Sequence, residues 1–488
     1  MAEDLHLLDA TAQAALVASG EASPAELVEV ALDRIDRLNP QLNAVIHERA
    51  DAARAEAAGV LPDGPFRGVP MVVKDLDGWL AGEPYHAGNR GLRDRGFRPA
   101  VDSELFARFR RAGFVIVGKT NTPELGLMPS TEPLAYGPTR NPWDVSRSTG
   151  GSSGGSGAAV AACLVPVGHA GDGGGSIRIP ASECGLVGLL PTRGRITLGP
   201  EAGESWGGLV RRLVVSRSVR DTAGVLDAVA GPMPGDPYVA PAPSGPYRDE
   251  LRDAADPLAR GQLRIGVTTS TPDPNVVCDP QVVAAVDAAA QACASLGHAV
   301  ERSAPAAWDD AEASAAFAGH FVNTFTVWAA ADLDRYGALT GAPLTADEVE
   351  PGTWAIAEMG RHVTALQYHA AVEATHAYTR DLARWWSDGF DVLMTPTIPE
   401  LPPTLGQFTG TVDEPLVGLA RAAGIVPFTA PFNATGQPAI SLPLGWSAEG
   451  LPIGVQLVAA AGREDVLLRL AAQLELACPW SDRRPPVV

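Results

Sequence analysis

Positive charge and cysteine are both scarce in this sequence, and each shortage disfavours a broad class of function. The 488 residues hold 37 lysines and arginines against 57 acidic residues, for a formal net charge of −20. Because such an acidic chain repels phosphate backbones, we expect no nucleic-acid partner. The five cysteines are odd in number and form no C-x-x-C pair, which disfavours a disulfide scaffold and a structural zinc site. Reduced thiols of this kind are typical of a cytoplasmic protein.

Long apolar runs and a secretion signal are missing as well. The N-terminal segment is acidic, and the longest apolar stretch, near residues 158–167, is too short to cross a bilayer. We therefore expect no membrane partner and a cytoplasmic location. Apolar residues are abundant at 46%, which excludes disorder as the main state and indicates a large core. Length alone suggests about three domains.

Apolar spacing and turn residues predict alternating helices and strands, which is the pattern of an α/β protein. Strands are predicted at 69–75, 114–117, 263–267, 298–302, 391–395, 439–442 and 453–458. Helices are predicted at 9–18, from 24 to about 39, and at 102–111, 158–164, 280–296 and 465–476, with a helical region over 308–390. Residues 231–257 are rich in Pro, Gly and Asp and are predicted to be a surface connection.

Two glycine-rich segments stand apart from this alternation. Residues 146–157 consist almost entirely of Ser and Gly after Arg147, and residues 171–176 read Gly-Asp-Gly-Gly-Gly-Ser. A flexible linker has a similar composition, but a linker is followed by a new pattern. Here the two segments enclose one helix of small residues. This arrangement indicates tight packing and a close approach of the backbone to a ligand.

Two segments match common sequence motifs, but the secondary structure predicted around them is not the one that these motifs need. Residues 113–120 match the P-loop pattern, but the residues between Gly113 and Gly118 are strand formers and Pro123 prevents a helix from following. Residues 151–155 match the nucleophile elbow, but no strand precedes them. His169 is the only histidine near the glycine segments. A nucleotide site and a histidine-based triad are therefore both disfavoured.

Serines without a histidine need another proton acceptor. A lysine can serve if it is partly removed from water, because its neutral form is then accessible. Lys74 follows the apolar run 69–73 and is the candidate. A lysine at a strand end is usually solvated, so these residues alone leave the assignment open.

The chain resembles the amidase signature family. The resemblance covers almost the whole chain and rests on specific segments: 68–75, 118–124, 150–156, 175–181, 184–195 and 432–439. It implies one amidase domain over 1–488, an α/β fold with a central twisted mixed β-sheet covered by helices on both faces. This replaces the three-domain estimate, and residues 308–425 are a candidate helical cap over the site. No cofactor and no metal are implied.

The resemblance also implies the roles of individual residues. Ser176 would be the nucleophile, Ser152 the bridging serine held by a cis Gly151–Ser152 peptide, and Lys74 the base. Ser153 would form supporting hydrogen bonds. An oxyanion would be bound by the backbone N–H groups of Gly173, Gly174, Gly175 and Ser176, with Gly126 and Leu127 beside the nucleophile.

One departure from the family pattern is visible in the second glycine segment. The family usually has threonines on both sides of the aspartate, whereas Asp172 stands between Gly171 and Gly173. We expect a more mobile loop without those hydroxyl hydrogen bonds. Asp172 and Arg178 are expected to support the loop, and an ordinary surface ion pair is the alternative.

Four further segments, 9–14, 193–196, 454–460 and 462–465, most resemble the 6-aminohexanoate cyclic dimer hydrolases within the family, which open nylon-type cyclic amides. The expected activity is therefore hydrolysis of C–N bonds in neutral small-molecule amides or carbamates, by a monomer or homodimer. A stripe of aromatic residues on one predicted helix favours core packing over a pocket lining: Phe317, Phe321, Phe325 and Trp328. Two alternatives stay open: a glutamine amidotransferase A-type subunit that releases ammonia for a partner, and a non-catalytic binding protein on the same scaffold.

Overall fold

A single mixed β-sheet organises the chain in the computed structural model, which describes residues 2–273 and 275–488. Its eleven strands lie in the order β1-β3-β2-β4-β6-β5-β10-β11-β9-β7-β8. The strands are β1 Val45–Glu48, β2 Pro70–Lys74, β3 Val115–Thr120, β4 Val167–Asp172, β5 Val187–Leu190, β6 Arg211–Ser216, β7 Arg264–Val267, β8 Ala299–Arg302, β9 Val392–Pro396, β10 Ala439–Trp446 and β11 Pro452–Ala459.

Sixteen α-helices in the described residues cover this sheet. They are α1 Ala10–Ser19, α2 Pro24–Leu42, α3 Ala50–Ala58, α4 Arg90–Arg95, α5 Glu104–Arg111, α6 Gly154–Ala161, α7 Arg178–Cys184, α8 Val219–Val229, α9 Pro280–Ser295, α10 Ala306–Asp309, α11 Ala311–Leu339, α12 Pro351–Arg361, α13 Ala365–Ser387, α14 Val417–Ala423, α15 Ala430–Thr435 and α16 Glu464–Ala477. The helix α2 begins with the expected capping box between Ser23 and Glu26. The predicted α/β class with a covered mixed sheet is confirmed.

The direction of three neighbouring strands positions the candidate site. Strand β2 runs parallel to both β3 and β4, with Lys74 paired to Thr120 and Met71 paired to Val167. The carboxyl ends of parallel strands meet at one edge of a sheet. Lys74 at the end of β2 and Asp172 at the end of β4 therefore lie at the same edge.

Most predicted elements are present, with ends that differ by a few residues. The P-loop-like segment is the strand β3, buried along its whole length, and no helix follows directly after it. This confirms the rejection of a phosphate loop. The strands β1, β4, β5 and β6 were not predicted. β4 reads Val-Gly-His-Ala-Gly-Asp, which lacks a strand pattern, but β2 and β6 pair with it on both sides.

The region of the candidate helical cap is helical over most of its length. Helices α10 to α13 span 306–387, but β9 then returns to the central sheet between β11 and β7. Residues 231–257 form the expected connection, without strands or α-helices and with one 3-10 helix at Tyr247–Leu251. No helix in the described part of the chain combines the length and the apolar character needed to cross a bilayer.

Candidate active site

Lys74 is buried at the end of β2 and has two side-chain partners. Its Nζ lies 2.8 Å from Ser152 Oγ and 2.9 Å from Asp77 Oδ2. Burial lowers the pKa of Lys74 below its usual value, while the charge and hydrogen bond of Asp77 oppose this shift. The neutral amine is therefore more accessible than in a solvated lysine. The sequence contains one other lysine, Lys119, which is also fully buried.

Ser152 belongs to the first glycine segment, directly before α6. The Gly151–Ser152 peptide is cis, as the resemblance implied. The next residue, Ser153, donates a hydrogen bond to the Gly171 carbonyl at 3.1 Å and accepts one from the Gly171 N–H at 3.2 Å. Ser153 thereby ties the first glycine segment to β4. Helix α6 begins within this segment, at Gly154, one turn earlier than predicted.

The second glycine segment leaves β4 and leads into α7. Asp172 accepts hydrogen bonds from the N–H groups of Gly175 at 2.7 Å and Ile177 at 3.1 Å, on both sides of Ser176. The Gly175 N–H is therefore directed at Asp172. The N–H groups of three neighbours donate no hydrogen bond to another described residue: Gly173, Gly174 and Ser176. Ser176 is partly exposed, so a substrate can reach it.

Asp172 is held in turn by a buried ion pair with Arg178. The Arg178 Nε lies 2.9 Å from Asp172 Oδ2, and neither side chain has any exposed surface. Asn433 donates a hydrogen bond to Asp172 Oδ1 at 2.8 Å. Burial alone would raise the pKa of Asp172, but Arg178 and Asn433 lower it to about 2. Asp172 is therefore ionised at neutral pH and supports the loop, and the surface ion pair is excluded.

The two glycines that depart from the family pattern stand where other side chains fill the space. A Cβ at Gly171 would lie 2.0 Å from Asp77 Oδ2, and a Cβ at Gly173 would lie 2.7 Å from the Trp206 ring. Neither position can hold a larger residue unless its neighbour moves. The missing threonine side chains are thus replaced by Asp77 and Trp206 from other parts of the chain.

Both serines face a common pocket of about 590 Å³, which includes space open to solvent. The residues that line it include Ser152, Ser176, Gly173, Gly126, Leu125, Asp77, Trp79, Trp206, Arg212, Asp332, Arg335 and Tyr336. A Cβ at Gly126 would lie 3.1 Å from Ser152 Oγ, so Gly126 is beside Ser152. Leu127 is buried in an apolar cluster next to the pocket and is not among the lining residues.

The aromatic stripe on α11 divides between core and site. Phe317 stacks on Tyr378 with ring centroids 4.4 Å apart, and Phe325 packs edge-on against Trp206 at 5.0 Å. Phe321 is only partly buried and its Cζ lies 3.5 Å from the position of a Gly174 Cβ. The stripe is thus mainly core, as expected, but Phe321 covers the second glycine segment.

Sequence reasoning missed three of the residues that shape the pocket. Asp77, Trp206 and Asp332 lie on the β2–α4 turn, the β5–β6 connection and α11. Nothing in the sequence relates them, because only the fold brings these elements together. The one available signal was the short distance in sequence between Lys74 and Asp77.

The described part of the chain contains one group of potential metal ligands, which includes Asp75, the residue after Lys74. Ligand atoms of His47, Asp75 and His86 lie within 4.8 Å of one another. Lys119 donates to the Asp75 carboxylate, and the Tyr136 hydroxyl contacts both imidazoles. The Lys119 charge opposes a bound cation there, so we assign this group a structural role.

Comparison with known proteins agrees with this fold. The Amidase family model matches residues 26–468. The 6-aminohexanoate-cyclic-dimer hydrolases of Pseudomonas sp. (strain NK87) and Paenarthrobacter ureafaciens are each 45% identical over 487 residues, covering 98% of this chain and 97% of the relative. The chain therefore belongs to the amidase signature family and is an amidase, a hydrolase acting on carbon–nitrogen bonds.

Solved structures give the same result. The structure of a 6-aminohexanoate cyclic dimer hydrolase complexed with substrate matches with a TM-score of 0.94 at 44% identity, covering 99% of both chains. A bacterial aryl acylamidase of the amidase signature family matches with a TM-score of 0.85 at 25% identity, covering 98% of this chain and 97% of the other. The family and the likeness to cyclic dimer hydrolases expected from the sequence are confirmed.

Proposed function

We propose that the protein hydrolyses neutral small-molecule amides through an acyl-enzyme on Ser176, with Ser152 as the bridging serine and Lys74 as the base. The observation that carries this proposal is the 2.8 Å contact between Lys74 Nζ and Ser152 Oγ, in the pocket that Ser176 also lines. The one other lysine of the sequence, Lys119, donates its hydrogen bonds to Asp75 and the Pro84 carbonyl instead.

The proposed proton path runs from Ser176 through Ser152 to Lys74. Neutral Lys74 accepts the Ser152 hydroxyl proton while Ser152 accepts the proton of Ser176, and the Ser176 Oγ attacks the substrate carbonyl. Ser152 then returns a proton to the leaving nitrogen, so the C–N bond breaks and an amine departs. Water attacks the resulting ester by the same route in reverse. Carboxylate is released and Ser176 regains its proton.

The second glycine segment supplies the groups that stabilise the oxyanion. The N–H groups of Gly173, Gly174 and Ser176 are available, while the Gly175 N–H is used to fix the segment on Asp172. The Thr429 hydroxyl also donates to the Gly174 carbonyl at 2.6 Å. Donors fixed in advance need no reorganisation during the reaction, and each is worth about 10²–10³ in rate.

The pocket favours uncharged substrates. Of its two arginines, Arg212 is paired with the Glu201 carboxylate at 2.6 Å, whereas Arg335 donates to the Glu201 backbone carbonyl at 3.0 Å and has no ion-pair partner among the described residues. Three lining carboxylates, those of Asp77, Glu201 and Asp332, outnumber these two arginines, so the pocket offers no excess positive charge to a substrate carboxylate such as that of glutamine. Phe321 and Trp206 offer apolar surface beside the serines. We therefore propose cyclic or linear aliphatic amides, anilides and carbamates as the substrate range.

A hydrolysis panel read by mass spectrometry tests this proposal. It contains an aliphatic cyclic diamide, a linear oligoamide, an anilide, an aryl carbamate and glutamine, each with Ser176→Ala as the matched blank. Turnover of neutral amides or carbamates that is absent in the blank supports the proposal, and the ranking defines the pocket. Turnover of glutamine alone would point instead to an amidotransferase subunit. Activity that persists in Ser176→Ala would overturn the assignment of the nucleophile.

A further inference from the structure

We propose that Asp77 is a positioning residue that holds the Lys74 amine against Ser152, and that Gly171 is glycine because the Asp77 carboxylate occupies its side-chain space. The inference rests on the proposed function, since it assigns a role to Asp77 only if Lys74 is the base. It adds a carboxylate to the serine–serine–lysine arrangement. It also explains why residue 171 is glycine where the family usually has threonine.

The contacts of Lys74 and Gly171 converge on one oxygen atom. Asp77 Oδ2 accepts a hydrogen bond from Lys74 Nζ at 2.9 Å, and the same oxygen lies 2.0 Å from the position of a Gly171 Cβ. The Asp77 Cγ and Cβ lie 2.5 and 2.9 Å from that position. Any side chain at residue 171 would therefore displace the carboxylate from the amine.

The backbone of the turn after β2 presents Asp77 in this position. Asp77 has a φ of 62°, in the left-handed region, which Asp and Asn adopt more readily than other non-glycine residues. Its side chain is 14% exposed and lines the pocket, so it borders both the buried amine and the substrate space. A residue without αL preference could not place its side chain here at the same cost.

Three charged groups act on the Lys74 amine from the surrounding elements. Asp77 and Asp172, from the β2 turn and the end of β4, favour the ammonium form. Arg212 of β6 opposes it. Asp172 is neutralised by Arg178, and Arg212 is paired with Glu201. Asp77 is the carboxylate in direct contact with the amine, and its only ion-pair partner in the described chain is Lys74.

This geometry has two consequences for the reaction. The proton lost by the serines arrives on Lys74, so a carboxylate at 2.9 Å stabilises the ammonium that forms in the transition state. The same carboxylate also favours the ammonium in the resting enzyme, which confines full activity to higher pH. Asp77 thus increases the rate at alkaline pH and reduces the fraction of active enzyme at acidic pH.

Asp77→Asn tests both consequences, because Asn keeps the αL preference and an acceptor oxygen while removing the charge. The probe is a fluorophosphonate ester, with which the Ser176 Oγ forms a bond to phosphorus, fluoride leaves and the hydroxyl proton passes through Ser152 to Lys74. We expect the labelling rate on the alkaline plateau to fall about tenfold or more, and the acidic limb of the profile to move to lower pH. Asp381→Asn, on the exposed face of α13, is the matched control.

Gly171→Ala tests whether the Asp77 carboxylate occupies the space that a side chain at residue 171 would need. Alone, it should lower the plateau rate at least as much as Asp77→Asn, because the new Cβ displaces the carboxylate. In an Asp77→Gly background, where the carboxylate no longer fills that space and the positive φ is well tolerated, Gly171→Ala should have less than a twofold effect. Such coupling is not expected if each residue only supports the fold independently.

The outcomes separate this inference from the proposed function. Labelling of Ser176 that keeps its pH profile and its plateau within twofold in Asp77→Asn would overturn the role of Asp77 while leaving the triad intact. Independent, additive losses from Gly171→Ala and Asp77→Gly would overturn the shared space. A chain that is not labelled at Ser176 at any pH would overturn the proposed function itself.

Discussion

Arg178 and Asp172 form an ion pair with no solvent exposure, with Nε and Oδ2 2.9 Å apart. The Asp172 carboxylate also accepts the N–H groups of Gly175 and Ile177, the residues on both sides of Ser176. The backbone around the candidate nucleophile is therefore fixed by a buried charge. This relationship joins the stability of the fold to the geometry of the site.

Breaking this pair from one side should damage stability and activity together. In Arg178→Met, Asp172 stays buried without its cation, and we expect the free energy of unfolding to fall by about 3–5 kcal/mol. Urea unfolding measures the loss, and amide turnover should fall in parallel. The exposed pair Arg361–Asp334 provides the control, because Arg361→Met should change stability by less than about 1 kcal/mol. Equal effects of the two substitutions would contradict this account.

Because of the buried Glu183 carboxyl, we expect the free energy of unfolding to depend on pH. Glu183 is fully buried, and burial raises the pKa of its carboxyl to about 8, although Ser148 and the Gly150 N–H oppose this shift. The folded state therefore keeps a proton that the unfolded state releases above its usual pKa of 4.5. Stability should fall as the pH rises from about 4.5 to 8.

Glu183→Gln removes that titration. Urea unfolding between pH 5 and pH 8 should show a smaller decline in the variant than in the parent, and the variant should be the more stable at pH 8. Glu373→Gln, on the exposed face of α13, should leave the decline unchanged. A decline that is identical in the parent and in Glu183→Gln would contradict the assignment.

The two lysines should respond differently to the same substitution. Lys74→Met removes the candidate base, so we expect kcat to fall by about 10²–10⁴ while the free energy of unfolding stays the same or rises. Lys119→Met removes the cation paired with the buried Asp75, so we expect a loss of about 3–5 kcal/mol in stability. Kinetics and urea unfolding of both variants distinguish these roles. Full activity in Lys74→Met would contradict the mechanism.

Adjacent glycines should differ in their tolerance of a methyl group. Gly175 has a φ of 143°, and a Cβ there would lie 2.5 Å from Ile179 Cδ1. Gly174 has only Phe321 near its Cβ position, at an ordinary 3.5 Å. We expect Gly175→Ala to lower kcat about 100-fold or more, because it displaces the segment that holds Ser176, and Gly174→Ala to have a much smaller effect. The reverse order would contradict the placement of this segment.

Much of the fold and the candidate site could be predicted from the sequence. The strand ending at Lys74 has a clear apolar run, and the glycine segments around Ser152 and Ser176 stand out by composition. These features are local, so they are visible in one stretch of chain. The family resemblance supplied the roles that the residues alone left open.

The remainder depends on contacts between distant parts of the chain. Strand β4 contains two glycines, and its neighbours in the sheet hold it extended despite that composition. Gly171 was expected to loosen the loop, but its missing side chain is replaced by Asp77. Such compensation between separate segments has no periodic signal in the sequence.

Mapping of the acyl-enzyme tests the central claim most directly. The protein is quenched with acid within milliseconds of mixing with an activated anilide, digested and sequenced by mass spectrometry. The account predicts an acyl group on the peptide that contains Ser176, absent in Ser176→Ala and strongly reduced in Lys74→Met. An acyl group on Ser152 or Ser153, or turnover without any acylated serine, would contradict it.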